Sequence, residues 1–276
     1  MKKGILFTTM GLISALLISC MPSRQYDLES ETKIVVGLEA AYAPFNWAEV
    51  SPNEFTTPIS NQPGSYVDGY DVSIARLVGN TLNKTVEFKA IDWLGLIPAL
   101  NSRDINIIIA GMSPTEVRKK EIAFSDEYYR SEIVMLVKGD GAYKDATSIN
   151  DFDGARVVAQ ISTIYDEVIN QIPNVIHQTP LDDYASLALA VASGSSDAFV
   201  AEMPVAISVV SSNPNLKIVS LINGGFETLD EDITVAIGVR KIDADLLEAL
   251  NSALALISQE TRETLMSEAL NRSGGV

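Results

Sequence analysis

Between residues 33 and 270 the chain alternates short apolar runs with longer amphipathic stretches. The runs at 33–38 (KIVVGL), 85–90 and 106–110 (NIIIA) read as strands, the last β-branched and buried on both faces. Between them, Gly69-Tyr70-Asp71-Val72 opens a helix that extends to about Asn83, with Asp71 near its positive end. A second helix spans 93–103 and carries Pro98 in its first turns. This β-α-β-α-β order predicts a parallel sheet. The apolar strand at 132–138 (EIVMLVK) then leads into a second set. Its strands fall at 155–159, 175–177, 197–200 and 216–219, and its helices at 163–171, 182–193 and 204–212. Residues 233–240 (ITVAIGVR) are long enough to run back to the first unit, and helices at 244–258 and 261–269 close the chain. Two α/β units joined by two strand crossings make a hinge, with the expected ligand site in the cleft between them.

The most informative stretch is 106–130, NIIIAGMSPTEVRKKEIAFSDEYYR. Its strand must turn at Gly111, after which Ser113 and Pro114 supply a helix cap and a first-turn proline, predicting a helix over 115–121. Ser113 then lies at the C-terminal end of a strand with Arg118 about one turn on. Ligands bind at that end of open α/β sheets, and a guanidinium fork fits a carboxylate or a phosphate. A solvated helix charge is the plainer alternative for Arg118. Residues 50–67, with three prolines, read as a surface excursion or short hairpin.

The net charge of −16 and a pI near 4.4 argue against nucleic acid and against an anionic lipid surface as partners. Acidity suits a cationic ligand, and equally a soluble face. One histidine, His177, and one cysteine, Cys20, leave His or Cys metal sites and Ser-His-Asp or Cys-His nucleophiles without their residues. No metal and no cofactor is expected.

Two lysines followed by an apolar stretch make residues 1–19 a signal peptide rather than a membrane span. The segment closes on Leu17-Ile18-Ser19-Cys20, which resembles the bacterial lipobox; an ordinary signal with a stray cysteine is the alternative. The resemblance implies that Cys20 is lipidated and that residues 20–31 form a tether, placing the protein outside the cytoplasm in the cell envelope.

Six short motifs stand in one order: Tyr42-Ala43-Pro44-Phe45; Gly69-Tyr70-Asp71-Val72; Trp93 with Leu96-Ile97-Pro98-Ala99-Leu100; Gly111-Met112-Ser113 with Thr115-Glu116-Val117-Arg118; Glu121 to Ser125 with Tyr128-Tyr129; and Asp197-Ala198 with Glu202. In these the chain resembles the polar amino acid class of ABC-importer substrate-binding proteins, bacterial extracellular solute-binding protein family 3. The resemblance covers about residues 33–270 and implies an α/β, two-lobed, periplasmic-binding-protein-like (type II) fold. Each lobe would hold a mixed sheet flanked by helices, with lobe 1 from 32–131 and 235–276, and lobe 2 from 132–234.

It further implies that Arg118 clamps the α-carboxylate of a free amino acid, with help from backbone amides near Ser162 and Thr163. Glu202 would take the α-ammonium, Ser113 and the Gly111 backbone would add hydrogen bonds, and Tyr42 and Trp93 would sandwich the ligand side chain. Glu39 would meet a distal cation, so a cationic amino acid is expected, arginine ahead of lysine or histidine. Each residue has a simpler role to set beside this: Ser113 a helix cap, Glu202 a helix-start carboxylate, Tyr42 and Trp93 core aromatics. Glutamine is the alternative ligand, and a cyclohexadienyl dehydratase the alternative on the same fold. The implied partner is the pair of importer transmembrane domains, met by a monomer. Two departures stand out: Ile161, where the family often has glycine between Gln160 and Ser162, and the long 50–67 insert.

Overall fold

The computed structural model describes residues 25–274. The first lobe opens with β1 (Lys33–Leu38), followed by β2 (Ala41–Tyr42), β3 (Asn46–Glu49), β4 (Thr57–Pro58) and β5 (Tyr66–Asp68). It continues through α1 (Tyr70–Thr81), β6 (Thr85–Ala90), α2 (Leu96–Ser102), β7 (Ile107–Ile108), α3 (Glu116–Lys119) and β8 (Ala123–Arg130). The second lobe holds β9 (Ile133–Lys138), β10 (Arg156–Val158), α4 (Ile164–Val168), β11 (Ile176–His177), α5 (Tyr184–Ser193), β12 (Ala198–Glu202), α6 (Met203–Ser212) and β13 (Leu216–Val219). Then β14 (Thr234–Val239) returns to the first lobe, and α7 (Ala244–Ala255) and α8 (Gln259–Ser273) follow.

Each lobe is built on a five-stranded mixed sheet. The first has the order β6-β1-β7-β14-β8: β1 is parallel to β6 and β7, and β14 is antiparallel to β7 and β8. The second, β11-β10-β12-β9-β13, is parallel around β10 and antiparallel on both sides of β9. Strands of this second sheet alternate. Val134 and Leu136 face the core shared with α5 and α6, while Met135 and Val137 face a separate cluster with Phe152, Ile164 and Val168. Both faces are covered, which is why β9 is apolar at nearly every position.

The strand β8 is a feature the hydrophobic pattern does not reveal. Its sequence, AFSDEYYR, is mostly polar, and its ladder with β14 is interrupted by two register shifts. At the interruption a side chain replaces the backbone: Ser125 Oγ accepts from Ile237 N at 2.9 Å, and Ala236 N donates to Met112 O at 3.0 Å. The 50–67 insert is the expected hairpin, β4 on β5, but it is joined by β2 and β3 into a four-stranded antiparallel sheet. The helix expected at 115–121 shortens to α3. Thr115, not Ser113, caps it by accepting from Arg118 N.

The two crossings between lobes run side by side. The first lies between β8 and β9, the second just before β14, and Ser131 N donates to Ile233 O at 3.0 Å between them. The last helix, α8, packs on both α1 of the first lobe and α6 of the second. The expected tether is corrected in part. Tyr26 is buried, its N–H donates to Asp243 Oδ1 at 2.9 Å, and its hydroxyl donates to Lys33 O at 2.8 Å. The segment from Tyr26 to the start of β1 is therefore anchored on the first lobe. Residues 1–19 and Cys20 lie outside the described residues. Among the described residues no helix is long and apolar enough to cross a membrane.

Candidate ligand-binding site between the lobes

Seven of the nine residues expected at the site line one cavity at the meeting of the lobes: Glu39, Tyr42, Trp93, Gly111, Ser113, Arg118 and Thr163. The other two touch it, Ser162 through its carbonyl and Glu202 through Tyr42. The first lobe contributes the loops after β1, β6 and β7. The second contributes the residue pair before α4 and the last residue of β12.

A buried polar network fixes the first-lobe half. Asp71, at the start of α1, accepts from Tyr128 Oη at 2.7 Å and from Asn46 Nδ2 at 2.8 Å. Asn46 Oδ1 in turn accepts from Ala40 N, and Gly111 N donates to Tyr128 Oη. One carboxyl thus ties the loop bearing Glu39 and Tyr42 to the turn after β7. Burial pushes Asp71 up to about 7 despite these bonds. Gly111 itself cannot be replaced cheaply: its φ is +60°, and a Cβ there would meet the Tyr42 ring at 2.6 Å.

Arg118 lies across the cleft. Its guanidinium donates to Ser113 O at 2.7 Å and to Ser162 O of the other lobe at 2.9 Å, and it stacks over Trp93 at 4.9 Å. Burial lowers it to about 10, so it stays charged at neutral pH. The Trp93 face is therefore taken by Arg118, and Tyr42 stacks instead on Phe45 (5.2 Å) and lies against Tyr184 (5.0 Å). Tyr42 and Trp93, expected to sandwich a ligand side chain, both line the cavity. Ser113 donates to Asp232 O at the second crossing rather than capping α3.

On the opposite side, Glu202 is 2 % exposed and makes no cap bond to its helix. Its carboxylate accepts from Tyr42 Oη, with Tyr165 as a second phenol partner. Burial pushes it up to about 8 against these two hydrogen bonds. Glu39 accepts from Gln160 Nε2 at 3.1 Å, again from one lobe to the other, and burial pushes it up to about 7. The left-handed backbone at this wall falls on Ser162 (φ +58°), one residue after Ile161. Thr163 Oγ1 bonds Gln160 O at 2.7 Å and does not cap α4.

Sequence reasoning missed Tyr165 and Tyr184, and treated Gln160 only as a motif position. No pattern marks the two tyrosines, which stand at the starts of α4 and α5 in the second lobe. The resulting charge set is one guanidinium and two carboxylates. Among the described residues none of the three has an ion-pair partner. With the lobes closed the cavity measures about 10 Å³, space for about one water. A solute must therefore part the lobes to enter. The cavity continues outward into a groove of about 400 Å³ between Trp93, Leu94, Val117 and Glu167. No group of residues suited to a metal ion occurs among those described.

Comparison with known proteins agrees with this architecture. The arginine-binding extracellular protein ArtP of Bacillus subtilis is 28 % identical over 259 residues, covering 92 % of each chain. The glutamine-binding protein GlnH of the same organism is 26 % identical over 74 % of this chain and 72 % of its own. In fold, the chain superposes with a TM-score of 0.74 on the amino acid ABC transporter substrate-binding protein AbpA of Streptococcus pneumoniae, solved with L-arginine, at 24 % identity over 90 % of this chain and 99 % of that one. The model of one family matches residues 34–270, and the chain belongs to that family, the bacterial extracellular solute-binding proteins, family 3.

Proposed function

We propose that the chain captures a free cationic amino acid, arginine first, between its closing lobes and delivers it to the transmembrane domains of an ABC importer. The observation that carries this reading is the unpaired charge set of the cleft. A free amino acid brings a carboxylate for Arg118, as two parallel hydrogen bonds, and an ammonium for Glu202. Glu39 is then left over. Burying it beside a neutral side chain leaves an unpaired charge or forces protonation, whereas a second cation on the ligand neutralises it. Relatives that bear arginine-binding names support the same choice.

The closed form is held by cross-cleft contacts that a ligand can take over: Tyr42 to Glu202, Gln160 to Glu39, and Arg118 to Ser162. A ligand bonding both lobes stabilises closure by its differential affinity for that state. Glutamine is the second reading, supported by the position of Glu39 at about 7, where a neutral carboxyl can meet a carboxamide, and by the glutamine-binding relative. The anchor in this reading is a lipid on Cys20, tested by loss of fatty-acid labelling in Cys20→Ala.

Calorimetry of the chain from residue 25 onward against the twenty amino acids tests the ligand. Arginine is expected to bind tightest, with lysine weaker. Tight glutamine binding with no arginine binding would end the cationic reading.

A further inference from the structure

The cleft does not end at Arg118. The groove that opens outward from the inner cavity measures about 400 Å³, a volume in the range of small-molecule sites. Trp93, Arg118, Thr163 and Ile164 line both spaces, so the two are continuous and meet at the guanidinium. Leu94, Ile97 and Val117 of the first lobe and Ile164 of the second give the groove apolar walls. Leu94 is 54 % exposed and Val117 61 %, so both are largely open to whatever enters. Glu121 from one lobe and Glu167 from the other stand in the same lining. Neither is within ion-pair distance of a cation among the described residues.

A free amino acid ends at the carboxylate that Arg118 takes and has nothing to place in this groove. Arg118 itself can serve a longer molecule. Of its five N–H donors, one on each terminal nitrogen goes to Ser113 O and Ser162 O. The others make no hydrogen bond among the described residues. A peptide carbonyl can therefore stand where one carboxylate oxygen would, while a terminal carboxylate one residue further out meets the remaining donors. Glu121 and Glu167 oppose any further negative charge on such a ligand.

We propose that the cleft also admits arginine joined through its carboxyl group to a second residue, an arginyl dipeptide, whose second side chain is apolar or basic and lies against Leu94 and Val117. The proposal rests on the reading of the inner cavity as a cationic amino acid site. The guanidinium and ammonium of the arginine stay with Glu39 and Glu202, and only the part beyond its carboxyl group enters the groove.

The test is calorimetry of the chain with arginine, arginyl-leucine, arginyl-lysine, arginyl-glutamate and leucyl-arginine, with mass spectrometry of the recovered ligand to exclude arginine released by hydrolysis. Arginyl-leucine and arginyl-lysine are expected to bind within roughly tenfold of arginine, and arginyl-glutamate roughly tenfold more weakly than either. Leucyl-arginine, with its residues in the reverse order, should not bind. In the double variant Leu94→Ser with Val117→Ser, arginine affinity should be unchanged and arginyl-leucine should lose roughly tenfold. Failure of wild type to bind arginyl-leucine while it binds arginine overturns the proposal. So does an equal loss of both ligands in the variant, or leucyl-arginine binding as well as arginyl-leucine. Should arginine itself not bind, the cationic reading of the cleft fails first and this inference falls with it, a result seen before any dipeptide is tried.

Discussion

Two sets of buried charges in this molecule are treated oppositely. Beneath the first sheet, Arg240 and Asp243 are 6 % and 0 % exposed and stand 2.6 Å apart. Arg240 also donates to the carbonyls of Leu100 and Ile105, and Asp243 accepts from Tyr26 N. Every charge there is answered within the chain. In the cleft, Arg118 rests on carbonyls and an indole, while Glu39 and Glu202 rest on an amide and phenols. Neutral dipoles keep these groups oriented, and no opposite charge among the described residues is paired with them. The contrast teaches that the first set belongs to folding and the second is reserved for a solute that brings the complementary charges.

That contrast breaks most visibly through Asp243→Ala. It leaves Arg240 buried and unpaired and frees Tyr26, so unfolding in denaturant should show a loss of about 3–5 kcal/mol. Arginine affinity measured well below the midpoint should stay near wild type. Arg118→Ala should behave in the opposite way, losing about 2–5 kcal/mol of arginine binding with no drop in ligand-free melting temperature. If Arg118→Ala melted early and still bound arginine, the two sets would not differ in kind. Glu39→Gln sharpens the picture within the cleft: arginine should weaken by roughly tenfold while glutamine binds as well as before or better, read by calorimetry with both ligands.

A pH dependence follows from the same buried groups. Burial holds Glu39 and Asp71 at about 7 and Glu202 at about 8, above the ordinary carboxylate range, so the closed ligand-free form favours their neutral state. The stabilisation is complete below the unfolded pKa near ~4 and is lost as pH rises through about 7 and then 8. Ligand-free melting temperature should therefore fall between pH 5 and 8.5. Arginine affinity should move the other way over the same window, because protons on Glu39 and Glu202 compete with the ligand's cations. Affinity that is flat with pH would show that these two carboxylates do not meet the ligand.

Much of this was legible in the order of residues. The alternation of apolar runs and amphipathic stretches fixes strands and helices because burial demands a period of 2 or 3.6, and nearly all elements outside β8 and the β2–β3 hairpin follow from it. β8 escapes because its ladder is bulged and partly satisfied by a serine side chain, so its polar letters carry no strand period. Arg118 could be singled out from its place one turn past a strand end, whereas Glu39 and Glu202 are implied only by the family resemblance.

Tertiary structure alone decided what those groups touch. Trp93 stacks on Arg118 rather than facing Tyr42, and Ser113 bonds the second crossing while Thr115 caps the helix. Gln160, Tyr165 and Tyr184 join the cleft from more than a hundred residues away in sequence from Glu39 and Tyr42. Local sequence sets backbone periodicity and caps through neighbours a turn away. Which side chains meet across a hinge depends on how two separately folded sheets are brought together, and no short-range pattern encodes that.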